Sequence, residues 1–410
     1  MKLLVVNVLF APQSIGGATR VVERNVAEFT SVGTVETSIF CSLEGFPPGE
    51  RRCWRWNDID AYGVGVSRTD WMDTGTDPQA IDAFSDVLDA IQPDLIHFHC
   101  IQTLGVGIVE HARDRAIPYV ITMHDGWWVS DRLFMVDDMG TVRLLDYGAN
   151  LEALDHDRRT GDEHAAGPSL NVEVIEPEKG GERTHALAPA IQGAATVLTV
   201  SEPFARMIRR AGVPADVRVV ENGVPPISVE SKITTDRPTV GYLAGVAPYK
   251  GYHLFRASLE ALPRAEFDAL VIDHSLPYGE RVSERWGAVD VTRIGFVPQN
   301  EVARLYRRLH VVVVPSIWPE SYGLIAREGA LSGCWVIASN RGAAGTDVTH
   351  GIDGFVFDPS IDGDLRGVLD LINDDPARFL RPPPSHPLRS DKQQASELLK
   401  LYDDLINNER

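Results

Sequence analysis

The residues most suited to chemistry lie in one segment, Pro315–Ala330, which directly follows the apolar run Val311–Val314. A short apolar run predicts a buried strand, and the residues after it predict a loop and then a helix. In open α/β sheets, ligands bind beyond the carboxyl ends of strands, where a following helix offers free N–H groups and a positive dipole end to an anion. The sequence therefore predicts a phosphate site at four consecutive residues, Ser321, Tyr322, Gly323 and Leu324.

Two glutamates flank this predicted helix start. Glu328 lies five residues past Gly323, which is roughly 7 to 8 Å along a helix. That offset suits a carboxylate that accepts hydrogen bonds from ribose hydroxyls, whereas Glu320 would face a sugar beyond the phosphates. Two glutamates at this spacing could equally be solvated helix residues, but the preceding strand, the Pro-Glu loop and the trailing strand favour a ligand site.

Two loops elsewhere are predicted to reach the same anion. Lys250 lies in the loop after the strand predicted at Thr239–Leu243, where its ammonium can meet a diphosphate; an ordinary lysine in a surface turn is the alternative. Gly16 and Gly17 follow the first predicted strand, and two glycines permit close approach of the backbone to a phosphate or a sugar. No Gly-x-Gly-x-x-Gly follows that strand, so the loop is not a dinucleotide-binding motif.

The elements that must position these residues alternate along the chain. Apolar strand-like runs alternate with helix-like stretches, which is the pattern of parallel sheets joined by helical crossovers. In the first half we predict strands at Lys2–Val8, Thr37–Cys41, Leu95–Phe98, Tyr119–Met123 and Thr196–Val200. In the second half we predict strands at Thr239–Leu243, Ala269–Ile272, Val311–Val314, Trp335–Ala338 and Gly354–Phe357, and helices at Tyr252–Ala261 and Val302–Leu309.

This repeated pattern predicts an α/β protein of two Rossmann-like domains. A length of 410 residues also exceeds the usual size of one hydrophobic core. We place the domains at residues 1–225 and 238–380, joined by a polar linker near 225–237, and we predict an amphipathic terminal helix at 390–410. The segment Asp146–His185 is rich in charge, Gly and Pro, which indicates an exposed insertion that borders the cleft.

The pair Glu320 and Glu328, separated by seven residues and followed by the run 331–338, resembles the motif of the family-four retaining glycosyltransferases of GT-B fold, the glycosyl transferases group 1. The resemblance covers about residues 1–375 outside the insertion and is strongest over 240–359. It implies two Rossmann-like domains that face each other across a cleft, with a C-terminal helix crossing back to the first domain. It also implies that the anomeric configuration of the transferred sugar is retained.

The resemblance also implies roles for individual residues. Lys250, followed by Gly251, would neutralise the departing nucleoside diphosphate, a task that metal ions perform in other transferases, so no metal is expected. Lys250, Glu320 and His124 are the predicted catalytic residues. The family commonly has an arginine four or five residues before that lysine, in the region where this chain has Val246, so one positive charge toward the phosphates is missing. The candidates to supply it are Arg256, Arg281 and Arg341.

Side chains at two strand ends of the first half are predicted to meet the second substrate, the acceptor. Open parallel sheets bring such strand ends to one edge, so His99 and Asp125 are acceptor-side candidates; for His99 a core-edge histidine is the alternative. Trp127 and Trp128 are further acceptor-side candidates because an indole can stack on a sugar ring, with buried aromatic packing equally compatible. A histidine metal site lacks a third ligand, and no metal is predicted.

We therefore predict an enzyme that moves a hexosyl or deoxyhexosyl group from a nucleotide diphosphate sugar to an acceptor hydroxyl, with retention and without a metal. The nucleotide sugar is a substrate, and no cofactor is expected. Two other interpretations stay open: a nucleotide-sugar epimerase of the same shape, and a noncatalytic sugar-binding module. Polysaccharides, lipid-linked glycans and natural-product scaffolds are all candidate acceptors.

Composition narrows the partners and the location. The net charge of −19 opposes binding to nucleic acid, because that affinity rests mainly on Lys and Arg neutralising phosphates. Four scattered cysteines without metal-ligand spacing fit a reducing cytoplasm, which is the expected location. No apolar run reaches the roughly 18 to 20 residues of a spanning helix, so membrane contact is expected only at the periphery, if the acceptor is lipid-linked.

Overall fold

The structure is a computed structural model that describes residues 1–14, 16–67, 75–138, 140–148, 172–176, 182–227 and 231–408. In the first half the strands are β1 (Lys2–Asn7), β2 (Glu36–Leu43), β3 (Arg51–Trp56), β4 (Ile59–Gly65), β5 (Leu95–Phe98), β6 (Tyr119–Met123), β7 (Val142–Leu145), β8 (Val172–Ile175), β9 (Thr196–Thr199) and β10 (Val217–Val219). The helices there are α1 (Gly17–Val32), α2 (Pro78–Ile91), α3 (Gly107–Asp114), α4 (Glu182–Gln192) and α5 (Glu202–Arg210).

The second half contains strands β11 (Thr239–Tyr242), β12 (Asp268–Ile272), β13 (Arg281–Trp286), β14 (Val289–Ile294), β15 (Val311–Val314), β16 (Trp335–Ser339) and β17 (Gly354–Phe357). Its helices are α6 (Tyr252–Glu260), α7 (Val302–Tyr306), α8 (Leu324–Leu331), α9 (Asp364–Asp374), α10 (Pro376–Phe379) and α11 (Asp391–Asn408). Short 3₁₀ turns lie at Gly126–Trp128, Pro248–Lys250 and Gln299–Glu301.

The first sheet has eight strands in the order β10-β9-β6-β5-β1-β2-β4-β3. All neighbours are parallel except β3 and β4. Successive residues of β1 face opposite sides: Leu4 and Val6 pack with helices α2 to α5, and Leu3 and Val5 pack with α1 and α11. Both faces are thus covered by helices, which is why the central strands are continuous apolar runs rather than alternating ones.

The second sheet has seven strands in the order β13-β14-β12-β11-β15-β16-β17. It is parallel except for the pair β13 and β14. Within β15, Val311 and Val313 pack beneath α6 and α9, whereas Val312 and Val314 pack beneath α7 and α8. The two sheets confirm the predicted α/β fold with two parallel-sheet units.

A hairpin that the sequence analysis did not predict closes one edge of each sheet. The first strand of each hairpin is largely exposed and rich in arginine, so it lacks the apolar run by which the other strands were recognised. A shared pattern marks both positions: Trp56 and Trp286 end the first strands, and a two-residue turn then leads into a β-branched residue and an aspartate. In the first hairpin Asn57 and Asp58 have φ of 46° and 66°, as a tight turn of this kind requires.

The terminal helix α11 packs on the first-sheet unit. Its residues Ala395, Leu398 and Tyr402 are buried beside Val26 and Phe29 of α1. The predicted insertion Asp146–His185 lies mostly outside the described residues; its described parts include β8, which pairs with β7, and the start of α4. Among the residues described, no helix is both long and apolar enough to span a bilayer.

Candidate active site in the cleft between the two sheets

The carboxyl end of β15 leads into the loop that starts helix α8. Gly323 occupies the position before the helix with φ of 80°, and a Cβ there would lie 2.8 Å from the Cα of Ala344, so only glycine fits. The helix has no side-chain cap at this end. No side chain therefore occupies the first N–H groups of the helix, and the phosphate site predicted at Ser321–Leu324 lies at this helix start.

The loop that carries Lys250 is fixed against the loop after β15. A Cβ on Gly251, whose φ is 75°, would lie 1.8 Å from the carbonyl oxygen of Pro315, so the two backbones touch. The carbonyl oxygen of Tyr249 accepts hydrogen bonds from the backbone N–H groups of Ile317 and Trp318 at 3.0 and 3.3 Å. These contacts bring Lys250 to the same place as Glu320.

Lys250 and Glu320 form an ion pair in the cleft. The Lys250 Nζ lies 2.7 Å from Glu320 Oε1, and the hydroxyl of Ser316 donates to the same oxygen at 2.6 Å. The ammonium also lies 4.9 Å from the ring centroid of Trp318. Glu320 is 6% exposed, and its backbone pairs with that of Gly342. A carboxylate thus holds the lysine ammonium at the start of α8.

Glu328 lies one turn beyond Leu324 on α8, next to the residues that line the cleft but not among them. The hydroxyl of Tyr306 donates to its Oε2 at 3.1 Å. Burial raises the pKa of the Glu328 carboxyl, while Arg24 of α1 and the Tyr306 hydroxyl oppose that rise. A carboxylate on the second-sheet unit is therefore electrostatically coupled to a guanidinium on the first.

The glycine loop after β1 lies against the start of α8. A Cβ on Gly17 would lie 3.0 Å from Leu324 Cδ1, and both Gly16 and Gly17 line the cleft. The two units also meet directly, since Ser201 donates to the carbonyl of Ser321 and the Tyr322 hydroxyl donates to the carbonyl of Asn222. The predicted phosphate-binding backbone is thus covered by the first-sheet unit.

Three buried imidazoles form a row that begins at the first-sheet side of the cleft and runs into the core. His124 lines the cleft, and its Nε2 lies 2.9 Å from Nδ1 of the buried His99. The ring of His97 is tilted by 35° against that of His99, with centroids 3.9 Å apart, and its nitrogens contact the hydroxyls of Tyr402 and Thr122 at 2.6 and 2.7 Å. Burial lowers the pKa of His124 to about 4 and that of His97 to about 3, and it also lowers the pKa of His99. His124 is therefore a neutral hydrogen-bonding group at physiological pH.

Asp125 lies beside His124 at the cleft. Its carboxylate accepts from the backbone N–H of Trp127 at 2.9 Å and from Gln102 Nε2 at 2.7 Å, and the Cys100 thiol approaches it at 3.8 Å. Burial raises the pKa of Asp125 from 3.8 to about 6 despite these hydrogen bonds. The group is thus poised to change charge in the range where many enzymes work.

Asp125→Asn should alter the pH dependence of stability. Because the folded carboxyl binds its proton more tightly than the unfolded one, ionisation destabilises the fold, and this loss develops as pH rises through about 6. The free energy of unfolding of the variant minus that of the wild type should be about 1.4 kcal/mol more positive at pH 8 than at pH 5. Urea unfolding of both proteins at pH 5 and pH 8 measures this difference in the free energy of unfolding. A difference that does not change with pH would contradict the raised pKa of Asp125. Gln102 Oε1, which has no hydrogen-bond partner, can accept from the asparagine amide.

Trp127 and Trp128 do not reach the cleft. They are 0% and 2% exposed and belong to the core beneath the first sheet. Their rings meet edge to face with centroids 5.1 Å apart, and the Arg183 guanidinium lies over Trp127. The buried-packing alternative describes both residues in this structure, because the 3₁₀ turn after β6 directs them inward.

Sequence reasoning missed several residues that line or border the cleft. Phe134 stacks on Tyr249 with ring centroids 3.8 Å apart and meets Trp318 edge to face at 5.2 Å, so this contact joins the two units beside Lys250. His274 follows β12 and lines the same cleft. His124 was predicted because ligands bind beyond the carboxyl ends of parallel strands, and the same rule could have selected His274. Nothing in the spacing of Phe134 indicates its position.

The three arginines considered as substitutes for the positive charge missing near Val246 do not line the cleft. Arg256 pairs with Glu260 at 2.9 Å, and Arg341 is 5% exposed and pairs with Asp358. Arg281 lies on the edge strand β13. By contrast, the ring of His274 lies against the loop before Lys250, since a Cβ on Gly245 would be 2.8 Å from its Nδ1.

Together these residues surround a cleft of about 1070 Å³ with walls from both units. Its lining includes the predicted Gly16, Gly17, His124, Asp125, Lys250, Glu320, Ser321, Tyr322, Gly323 and Leu324. Among the described residues, no group of three His, Cys, Asp or Glu side chains is arranged to hold a metal ion.

Two facing parallel-sheet units with a cleft between their strand ends define the GT-B fold. Solved structures with this fold match nearly the whole chain. Sucrose-phosphate synthase from Thermosynechococcus elongatus has a TM-score of 0.69 and 16% identity over 99% of both chains. HepE from Anabaena, solved in complex with UDP and glucose, has a TM-score of 0.59 and 16% identity over 100% of this chain and 98% of its own. Identity this low supports the fold alone.

Sequence comparisons identify the family. Residues 225–380 match the family described as glycosyl transferases group 1, and residues 16–157 match the glycosyl transferase 4-like domain. The D-inositol 3-phosphate glycosyltransferase of Kribbella flavida is 30% identical over 308 residues, which are 69% of this chain and 63% of the relative. The enzyme of that name from Thermobispora bispora is 28% identical over 70% of this chain and 64% of its own. The matches thus span less than two thirds of the relatives' lengths. Residues 225–380 are therefore a glycosyl transferases group 1 domain, preceded by a glycosyl transferase 4-like domain at residues 16–157.

Proposed function

We propose that this protein transfers a sugar from a nucleotide diphosphate sugar to an acceptor hydroxyl, with retention of the anomeric configuration and without a metal ion. The observation that carries the proposal is the ion pair of Lys250 and Glu320 at the uncapped start of α8, covered by the loop of Gly16 and Gly17. A cation, free N–H groups and a close backbone together suit a diphosphate.

The donor would lie along the second-sheet wall. Its diphosphate would accept hydrogen bonds from the start of α8 and from Lys250, and the ribose would extend along α8 toward Glu328. The transferred sugar would lie near Glu320, His124 and the acceptor. To bind the diphosphate, the Lys250 ammonium must either contact Glu320 and the phosphates together or move away from Glu320. Such a movement frees the Glu320 carboxylate for a sugar hydroxyl.

In the transfer step, the bond between the anomeric carbon and the phosphate oxygen breaks as the acceptor oxygen forms its bond to that carbon. The pair of electrons leaves with the diphosphate, and Lys250 with the helix start stabilises the added charge. The departing phosphate oxygen takes the acceptor proton, so the acceptor approaches on the face that the diphosphate leaves. Retention follows from that shared face. Glu320 is assigned to a hydroxyl of the donor sugar rather than to a nucleophilic role, with the Ser316 hydroxyl holding its Oε1 in place.

Neutral His124 suits a hydrogen bond to a hydroxyl of the sugar or the acceptor. Asp125 lies at the acceptor side of the same wall. His99 would act through His124, by fixing which of its ring nitrogens carries the proton.

A thermal-shift panel with UDP, GDP, dTDP and ADP sugars tests the proposal. A ligand that binds only the folded state raises the melting temperature by mass action, so at least one nucleotide series should stabilise the chain. Sugar transfer by the stabilising donor would support the proposal. Epimerised donor without acceptor would favour the epimerase, and binding of sugar without donor turnover would favour a noncatalytic module.

His274 is proposed as the second group that contacts the diphosphate, in place of the arginine missing near Val246. His274→Ala should raise the Kd of the bound nucleoside diphosphate about three- to tenfold, the range of one lost hydrogen bond. The affinity for the matching nucleoside should not change. Val246 is 37% exposed in the adjoining loop, so V246R added to the alanine variant should restore diphosphate affinity. Equal weakening of nucleoside and diphosphate would instead place His274 at the base.

A further inference from the structure

A guanidinium of the first-sheet unit lies close to the proposed ribose site on the second-sheet unit. Helices α1 and α8 begin side by side, since a Cβ on Gly17 would lie 3.0 Å from Leu324 Cδ1. Arg24 follows Gly17 by seven residues on α1, and Glu328 follows Leu324 by four residues on α8. Side chains at these spacings lie on one face of a helix. The two charged groups interact electrostatically across the boundary between the units.

Both groups keep hydrogen-bonding capacity in this structure. Among the described residues, nothing accepts a hydrogen bond from the buried Nε and Nη2 of Arg24. The described hydrogen bond to the Glu328 carboxylate is that of the Tyr306 hydroxyl, which donates to Oε2 at 3.1 Å. A buried donor without a partner is uncommon in folded proteins, so hydrogen bonds at these two nitrogens do not account for the position of Arg24. Its charge is the interaction that links it to Glu328.

The charges around this pair come from several helices. Burial lowers the pKa of the Arg24 guanidinium, and Arg20 one turn earlier on α1 adds to that effect. Three carboxylates on α8, α11 and α1 oppose it: Glu328, Asp391 and Glu23. Burial raises the pKa of the Glu328 carboxyl, and Arg24 of α1 and Tyr306 of α7 oppose that rise. The cation that favours a charged Glu328 therefore belongs to the opposite unit.

We infer that Arg24 is a positioning residue for the donor: its guanidinium, on the first-sheet unit, maintains Glu328 of the second-sheet unit as the acceptor of the ribose hydroxyls. This inference rests on the proposed function, in which Glu328 binds the ribose. A charged carboxylate accepts a stronger hydrogen bond from a hydroxyl than a neutral carboxyl does, and a nearby cation favours the charged form. Ribose recognition therefore draws on both units, although the ribose contacts only one of the two side chains.

The preference for a hydroxylated ribose tests this role. The Kd of the 2′,3′-dideoxy nucleoside diphosphate is divided by the Kd of the normal nucleotide, in the nucleotide series that the thermal-shift panel selects. Calorimetric titration of the full chain gives both values. The two nucleotides carry the same phosphates, so the titration of those phosphates cancels in this ratio.

R24Q removes the cation, which raises the pKa of Glu328 further and protonates it as pH falls. Between pH 8 and pH 6, the ratio in R24Q should therefore fall at least about threefold more than the ratio in the wild type. R24K keeps the positive charge and should restore most of the wild-type pH dependence. K400Q removes one positive charge from an exposed position on α11, and it should keep the wild-type ratio at both pH values.

R24M provides a second variant without the charge, which keeps the apolar stem of the side chain should R24Q not fold. Melting temperatures without nucleotide show which variants are folded. A ratio in these variants that follows the wild type at both pH values overturns the inference. An equal loss of affinity for both nucleotides also overturns it, because Arg24 would then act through packing beside Asp391 rather than through the ribose.

The inference and the function on which it rests can fail separately. If no sugar nucleotide is bound or turned over, the proposed function fails, and the role of Arg24 fails with it. If a sugar nucleotide is bound and its sugar is transferred, but R24Q keeps the wild-type ratio at both pH values, only the role of Arg24 fails.

Discussion

Lys250→Ala is expected to lower kcat by about two to three orders of magnitude, the usual cost of removing one group that stabilises charge in a transition state. The charge on the diphosphate increases as its bond to the sugar breaks, so the ammonium contributes more in the transition state than in the bound donor. The Kd of the donor should rise far less than kcat falls, because the start of α8 still binds the phosphates. Pre-steady-state turnover and calorimetric titration of the donor separate the two effects.

A matched control uses Lys392→Ala, because this lysine is exposed on α11 and its loss changes the net charge equally. That variant should keep wild-type kinetics. K250R should recover part of kcat, since it restores the positive charge with different geometry. Wild-type kcat in Lys250→Ala, at an unchanged melting temperature, would exclude Lys250 from the transfer step.

Glu328→Ala should raise the Kd of the nucleoside diphosphate about ten- to a hundredfold, because a carboxylate that accepts ribose hydroxyls makes charge-assisted hydrogen bonds. The value of kcat at saturating donor should change little, as these contacts persist through the reaction. The substitution also removes the carboxylate that opposes the charge of Arg24, so stability must be measured in parallel. Calorimetric titration of wild type and variant with the nucleoside diphosphate gives the ratio of their Kd values.

The ribose itself provides the control for Glu328. If Glu328 binds the ribose hydroxyls, wild type and variant should bind the 2′,3′-dideoxy nucleoside diphosphate with nearly equal affinity. The loss should therefore appear only with the normal ribose. An equal loss with both nucleotides would indicate that Glu328 acts through packing or through Arg24 rather than through the ribose.

Much of the central fold was accessible from the sequence because buried parallel strands have a simple pattern. The strands at Leu95–Phe98, Tyr119–Met123, Val311–Val314 and Gly354–Phe357 have the predicted bounds. Each is mainly apolar and largely buried because helices cover both sides of its sheet. The strand-end rule then locates the site, since Lys250, Glu320 and His124 all follow such strands and line one cleft.

Features that depend on tertiary contact were less accessible. The edge hairpins face water on one side, so their strands carry charge and lack a continuous apolar run. Trp127 and Trp128 follow a strand end as His124 does, yet a 3₁₀ turn capped by Asp125 directs them into the core. The stacking of Phe134 on Tyr249 joins residues from different units, and no local pattern predicts a contact of that range.

The most direct test of the central claim is ³¹P NMR of a sugar nucleotide incubated with the purified protein and an acceptor. The proposed function predicts that the sugar-linked diphosphate signal is replaced by that of the free nucleoside diphosphate, with a retained glycosidic product, and that Lys250→Ala suppresses this change. A signal that stays unchanged for every sugar nucleotide that binds, or conversion to an epimeric sugar nucleotide without release of the diphosphate, would contradict it.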